Sequence, residues 1–250
     1  MNTIVVSPWV GKGYAKHSRD YLGRRVMIVG ASNYCEHYCD ATGCGNRCVH
    51  YGKHSLEING KPFDFGRHCE RFTEVVYERY RAGLTRKDEP KWMGTFSRFY
   101  NSFFNGRTPT REERNRLLDH LVCTEYVQGP VADNGYQTNR RMMKSDWNFT
   151  CLEKHVSDNK PDVVIVWGAG SWREICRRIG IAAVSSSIQA VKLGGCKVML
   201  LHVPHPASFG KHGFDRKAFQ RQLKKVGVKL VQNRLYTLRG GLAFGSSRGF

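Results

Sequence analysis

Four short, largely apolar runs constrain this chain more than any other feature: Val26–Val29, Leu121–Val127, Asp162–Trp167 and Val198–Leu201. Each has the length of a strand and is too short for a typical helix. The third is continuously apolar after its leading aspartate, as strands buried on both faces are. The segments between them show helical spacing. Residues 65–81 carry Phe72, Val75, Val76 and Tyr80, and Thr110 with Glu113 has the spacing of a capping box ahead of Leu117 and Leu118. Ser171 with Glu174 repeats that spacing beside Trp172, Ile175 and Ile179, and Asp215 can cap a helix whose inner side is Phe219, Leu223 and Val226. Val228–Leu238 supplies a last strand or two. Strands alternating with helices predict a three-layer α/β/α sandwich around a central, mainly parallel sheet. There is no internal repeat and no long linker. A single domain over residues 1–238 is expected, with a Cys-rich insertion at about 35–60 and a mobile Gly/Ser/Arg tail at 239–250.

The charge balance narrows the partner. Forty Lys and Arg against 21 Asp and Glu leave a net charge of +19. Such an excess favours polyanions, because neutralising phosphates releases their condensed counterions. DNA is the first expectation and an anionic membrane surface the second. No apolar run approaches a membrane span and no basic-then-apolar leader opens the chain, so a cytoplasmic, monomeric protein with no membrane partner is expected. Residues 87–108 interleave Trp92, Phe96, Phe99, Tyr100, Phe103 and Phe104 with Arg98 and Arg107. Such a pattern either stacks bases or buries one side of an amphipathic helix, and burial is the expectation for most of these rings.

Three strand ends are candidates for one cleft: Gly30–Tyr34, Thr124–Gln128 and His205–Ser208. Open α/β sheets place ligands at the carboxyl ends of their strands. Pro204-His205-Pro206 halts strand pairing and presents a histidine on a stiff loop. Glu125 interrupts an apolar strand, so it either faces solvent near the strand end or points into a site, since a carboxylate among apolar groups requires a partner.

Gly30-Ala-Ser-Asn-Tyr34 and His205-Pro-Ala-Ser208, together with Val166-Trp-Gly-Ala-Gly-Ser-Trp172 and Gly213-Phe-Asp-Arg-Lys-Ala-Phe219, occur in the order found in the uracil-DNA glycosylase superfamily. The chain resembles that superfamily from Arg25 to Val226. The resemblance implies a DNA glycosylase that flips a nucleotide out of the duplex and hydrolyses its N-glycosidic bond. His205 would donate to the base carbonyl as the base leaves as an anion. Gly30, Ala31, Tyr34, Glu125 and Tyr126 would contact the base, with Tyr34 beside its 5-position. Ser208, Phe209, Lys211, His212 and Arg216 would contact DNA, with Phe209 to His212 entering the duplex. The helix beginning near Asp215 could direct backbone N–H groups at phosphate.

The sequence departs from the family pattern twice. A water-positioning acid or amide belongs one or two residues after the first glycine, where this chain has Ala31 and Ser32; Asn33, Glu36 or Asp40 would substitute. The amide that reads uracil corresponds to Glu125, and a carboxylate, which only accepts, suits the 4-amino group of cytosine. The expected substrate is therefore a modified cytosine of the kind found in phage DNA, with uracil second, and an antiviral role would follow.

The chemistry requires no cofactor. Cys35, Cys39, Cys44 and Cys48, near His37 and His50, could hold a structural zinc or an iron–sulfur cluster, the alternative being free or packed thiols. Two other functions fit the same residues: an inactive nucleic-acid-binding member of the fold, or a nucleotide hydrolase using His205 and the acids near Cys35.

Overall fold

The computed structural model describes residues 6–35, 55–58, 61–64, 72–83, 91–105, 107–132, 143–184, 187–210 and 213–232. The strands are β1 (Trp9–Val10), β2 (Val26–Cys35), β3 (Ser55–Ile58), β4 (Lys61–Asp64), β5 (Leu121–Ala132), β6 (Val163–Trp167), β7 (Ile188–Leu193) and β8 (Cys196–Val203). The helices are α1 (Tyr14–Leu22), α2 (Phe72–Ala82), α3 (Lys91–Tyr100), α4 (Arg111–Leu118), α5 (Asp146–Asn159), α6 (Ala169–Ile179) and α7 (Arg216–Lys225). Six strands form one open sheet in the order β1-β5-β2-β6-β8-β7, and β3 and β4 form a separate hairpin. The four central strands are parallel, while β1 and β7 pair antiparallel at the two edges. Helices flank this mostly parallel sheet, the arrangement of an α/β/α sandwich.

Strand alternation divides the core into two layers. Val26 and Ile28 of β2, Leu121 and Cys123 of β5, Val163, Ile165 and Trp167 of β6, and Leu201 and Val203 of β8 face one cluster. There they meet the aromatics of α2, α3 and α7, among them Tyr77, Tyr80, Phe96, Phe99 and Phe219. Met27, Val29, Val122, Tyr126, Val164, Val166 and Leu200 face the other cluster, against Leu152 and Val156 of α5 and Trp172 and Ile175 of α6. Each large apolar side chain buried this way contributes about 1.5–3 kcal/mol. Phe96, Phe99, Tyr100, Phe103 and Phe104 are all buried, so their rings belong to the core and not to a base-stacking surface.

Several boundaries differ from expectation. The strand end expected over Gly30–Tyr34 is instead strand throughout, because β2 continues beside β5 to Cys35. The register slips between Ser32 and Tyr34, opposite a stretch of β5 that contains Pro130, which has no N–H for the ladder. Thr110 and Glu113 do close a capping box, and Asp215 does cap α7. Ser171 and Glu174 do not cap: α6 begins at Ala169 behind Gly168 (φ 78°), and Glu174 instead holds Arg177 and Arg178. Helix α2 starts at Phe72, and residues 65–71 lie outside the described residues. Strand β7 adds to the four expected strands and is held by β8 across the Gly194-Gly195 turn. No strand follows α7 among the described residues; Val231 makes a single parallel bridge to Phe104.

The metal expectation is corrected. Among the described residues no three His, Cys, Asp or Glu side chains are grouped so as to hold a metal ion. The described cysteines whose side chains are placed, Cys123, Cys151, Cys176 and Cys196, are free thiols. Burial pushes Cys123 up to about 12 and Cys151 and Cys176 up to about 11, the opposite of the thiolate character that ligation needs. Of the four clustered cysteines, Cys35 is described only as backbone in β2, and Cys39, Cys44 and Cys48 lie outside the described residues.

Candidate functional site

Chain order reverses about β2: β5 is laid on one side of it, then β6 and β8 on the other. The carboxyl ends of β2 and β6 therefore border the crevice in which such sheets bind ligands. Gly30 stands just past the last β2–β6 pair, Val29 with Val166, Glu125 lies opposite it on β5, and Trp167 closes β6.

Glu125 follows Leu121 and Cys123 on the aromatic-layer face of β5, and it is only 8% exposed. It does not face solvent. Its register partner is Gly30. A Cβ on Gly30 would lie 2.5 Å from Glu125 Oε1 and 2.6 Å from Cδ, and closer still to Oε2. The carboxyl group thus lies over the β2 backbone, in space that only glycine leaves open. Beneath it is a chain of neutral polar groups. Tyr77 and Tyr100 share a hydroxyl–hydroxyl hydrogen bond of 2.5 Å, and the Tyr100 hydroxyl lies 3.5 Å from Cys123 Sγ. Burial raises the pKa of all three, and the nearby Glu125 charge adds to this for Tyr77 and Cys123. They stay protonated around the carboxylate.

His205 leans the other way. Its ring meets Trp167 edge-on at 6.0 Å, and its Cβ lies over Gly168, where a side-chain carbon would come within 3.6 Å. Its Nδ1 accepts a hydrogen bond from the Ala207 backbone N–H at 3.2 Å, which leaves the proton of the neutral ring on Nε2. Desolvation lowers the pKa of His205, so the neutral form dominates at pH 7. Glu125 and His205 belong to strands three positions apart, roughly 14 Å between strand axes. Each side chain leans inward, one over β2 and the other against β6, which are adjacent strands. Trp167 lies in the wall between them, with a buried Nε1 that has no hydrogen-bond partner.

The loop after His205 is clamped by Arg98, a residue whose role its sequence position did not reveal. Its guanidinium donates to the carbonyls of Pro206, Ser208 and Phe214 at 2.9, 3.0 and 3.1 Å. It also lies 4.4 Å from the ring centre of Phe209, which is 81% exposed. A large aromatic is thereby held out at the loop tip on a cationic support. Gly210, with φ 83°, turns the chain just beyond it.

Other expected site residues fall elsewhere. Tyr126 is buried in the second core layer, on the face of β5 opposite Glu125. Arg216 is not free to meet phosphate, because its Nη2 donates to the carbonyls of Asn101, Phe104 and Arg107. The start of α7 is likewise occupied, since the Asp215 carboxylate accepts from the N–H groups of Lys217 and Ala218. By contrast, Gly168, the N-cap of α6 at the carboxyl end of β6, supplies no side-chain cap, and none is seen among the described residues. The Ser208 N–H donates to the His205 carbonyl at 2.7 Å and so shapes the loop. Ala31 is half-buried in β2, and the backbones of Ser32, Asn33 and Tyr34 continue that strand. Glu36, Asp40, Lys211 and His212 lie outside the described residues. No helix among the described residues is long and apolar enough to cross a membrane. No protein-family model matches this chain, and no curated protein matches it.

Proposed function

We propose that this protein is a DNA glycosylase that flips out a modified cytosine and hydrolyses its N-glycosidic bond, with uracil as a second substrate. What supports this reading is a neutral histidine donor packed against the end of β6 and a buried carboxyl laid over β2, the adjacent strands at which chain order reverses. A planar base inserted there would present its 4-amino group to Glu125, which accepts, and its 2-carbonyl to His205 Nε2–H, which donates. As the glycosidic bond lengthens, negative charge accumulates on the base carbonyl and the sugar becomes cation-like. A neutral donor already aimed at that oxygen stabilises the charge without reorganisation. Water completes the hydrolysis, and Ser32, Asn33 or Glu36 would position it. The uncapped start of α6 offers backbone N–H groups to a phosphate beside the crevice. Phe209 would fill the space left in the stack, as apolar side chains that kink duplexes do. The net charge of +19 supports a DNA substrate. A modified cytosine is preferred because excision of the normal base would destroy the host genome, and a defensive role against DNA carrying such bases follows.

The test is incubation with duplexes bearing uracil, cytosine, hydroxymethylcytosine or glucosylated hydroxymethylcytosine, with abasic sites read by alkaline cleavage. Cleavage at a modified cytosine, lost in His205→Ala, is expected. Glu125→Gln should shift preference toward uracil. No cleavage on any duplex, or full activity in His205→Ala, refutes the mechanism.

A further inference from the structure

We propose that a basic cleft at the amino-terminal end of the sheet holds phosphates of a nucleic-acid backbone. The cleft has a volume of about 500 Å³ and is lined by Arg24, Asp162, Lys192 and Lys197 over an apolar floor of Ala190 and Met199, which share the lysines' face of the β7–β8 ladder. It is remote from the candidate site. Lys197 is the second residue of β8 and His205 follows its far end, roughly 25 Å away at about 3.3 Å per residue.

Two features set this cleft apart from an ordinary solvated surface. First, Lys192 and Lys197 are direct cross-strand partners in the β7–β8 ladder. Like charges placed opposite each other destabilise a hairpin, and nothing in the fold requires lysine at two exposed positions. Second, the one acid in the lining is already occupied. The Asp162 carboxylate accepts from Arg19 at 2.7 and 3.1 Å and from the Arg25 backbone N–H at 2.8 Å. Among the described residues none of Arg24, Lys192 and Lys197 has an ion-pair partner. Three uncompensated cations around one concavity attract an anion with several charges. Two ammonium groups on flexible stems can grasp one phosphodiester or bridge neighbouring ones, while the apolar floor receives the sugar face. The cleft and the crevice lie at opposite ends of the strands. The cleft would hold a second segment of nucleic acid, or a bent continuation of the first, while the crevice works on the target.

The test uses the full chain and an unmodified duplex, with binding read by fluorescence anisotropy across a salt series. It needs no turnover, so it can fail or succeed independently of the glycosylase reading. Removing one cation from a phosphate flattens the slope of log K against log[salt] by about 0.9. Lys192→Ala/Lys197→Ala is therefore expected to flatten it by nearly 2, and Arg24→Ala by about 1. The melting temperature of the double variant should hold or rise, because the repulsion between the two lysines is gone. Lys16→Ala/Lys154→Ala, exposed on α1 and α5, removes the same charge elsewhere and should change the slope less. Equal slopes for the cleft variant and wild type, or an equal change in the control, overturn the proposal. Inorganic tripolyphosphate is the competing ligand. If it binds in a Lys192- and Lys197-dependent way while the DNA slopes coincide, the cleft serves free polyphosphates and the nucleic-acid assignment falls.

Discussion

Gly30→Ala isolates the contact that would give the proposed base pocket its specificity. The new Cβ would stand 2.5 Å from Glu125 Oε1 and 2.6 Å from Cδ, against the 3.4 Å at which ordinary contact begins. One of the two must yield by roughly 1 Å. The carboxyl is the far end of a flexible side chain, whereas the β2 backbone is paired with β5 at Gly30 and with β6 up to Val29, so the carboxyl moves. The fold loses little. An off-rotamer glutamate costs about 0.5–1.5 kcal/mol. Replacing glycine by alanine where the backbone is extended returns about 0.4–1 kcal/mol by restricting the unfolded chain. The net change, within about 1 kcal/mol, shifts the melting temperature of a domain of this size by about 2–4 °C or less. Activity should fall far more, because a displacement of about 1 Å in a positioning group can reduce a rate about 10²-fold. The assay is single-turnover excision from a duplex carrying the preferred modified cytosine, alongside thermal unfolding. Adding Glu125→Asp shortens the side chain by one methylene and should recover part of the rate. A Gly30→Ala rate within about threefold of wild type, or a loss that merely tracks unfolding, would refute the reasoning.

Three further outcomes follow from the geometry. Arg98→Lys cannot reproduce three carbonyl hydrogen bonds from one planar fork, so it should raise amide exchange across residues 207–214 and slow excision about tenfold or more while α3 stays folded. Phe209→Ala should leave the melting temperature unchanged, since the ring is exposed, but lower base flipping, followed by 2-aminopurine fluorescence, about tenfold. His202, buried against Trp172, has its pKa lowered by desolvation from 6.5 to about 4. The folded state therefore resists its protonation. Stability should be flat above pH 6.5, fall by about 3 kcal/mol between pH 6.5 and 4, and level off below that. Urea unfolding at several pH values measures the slope, and His202→Phe, which keeps the stack, should reduce it.

The four apolar runs determine four central strands and, through the alternation, a layered α/β sheet. Local chemistry also determines the caps at Thr110 and Asp215, because capping depends on side chains within one turn of the backbone they serve. His205 on its proline-flanked loop stands out for the same reason. What partners these elements acquire is a matter of distance in space. The sequence contains Gly30 and Glu125 as residues 95 positions apart, and only strand register lays the carboxyl over the glycine. Tyr126, adjacent to Glu125 in sequence, is sent to the opposite face by the strand period of two. Arg216 and the start of α7 have the composition of a phosphate site, yet carbonyls of the 101–107 segment and the Asp215 cap take up their donors. Arg98 sits among core aromatics, and its clamp on the His205 loop exists only because α3 packs beneath that loop. A side chain's chemistry is local, but whether that chemistry is spent on the fold or left for a ligand is decided by what the fold brings against it.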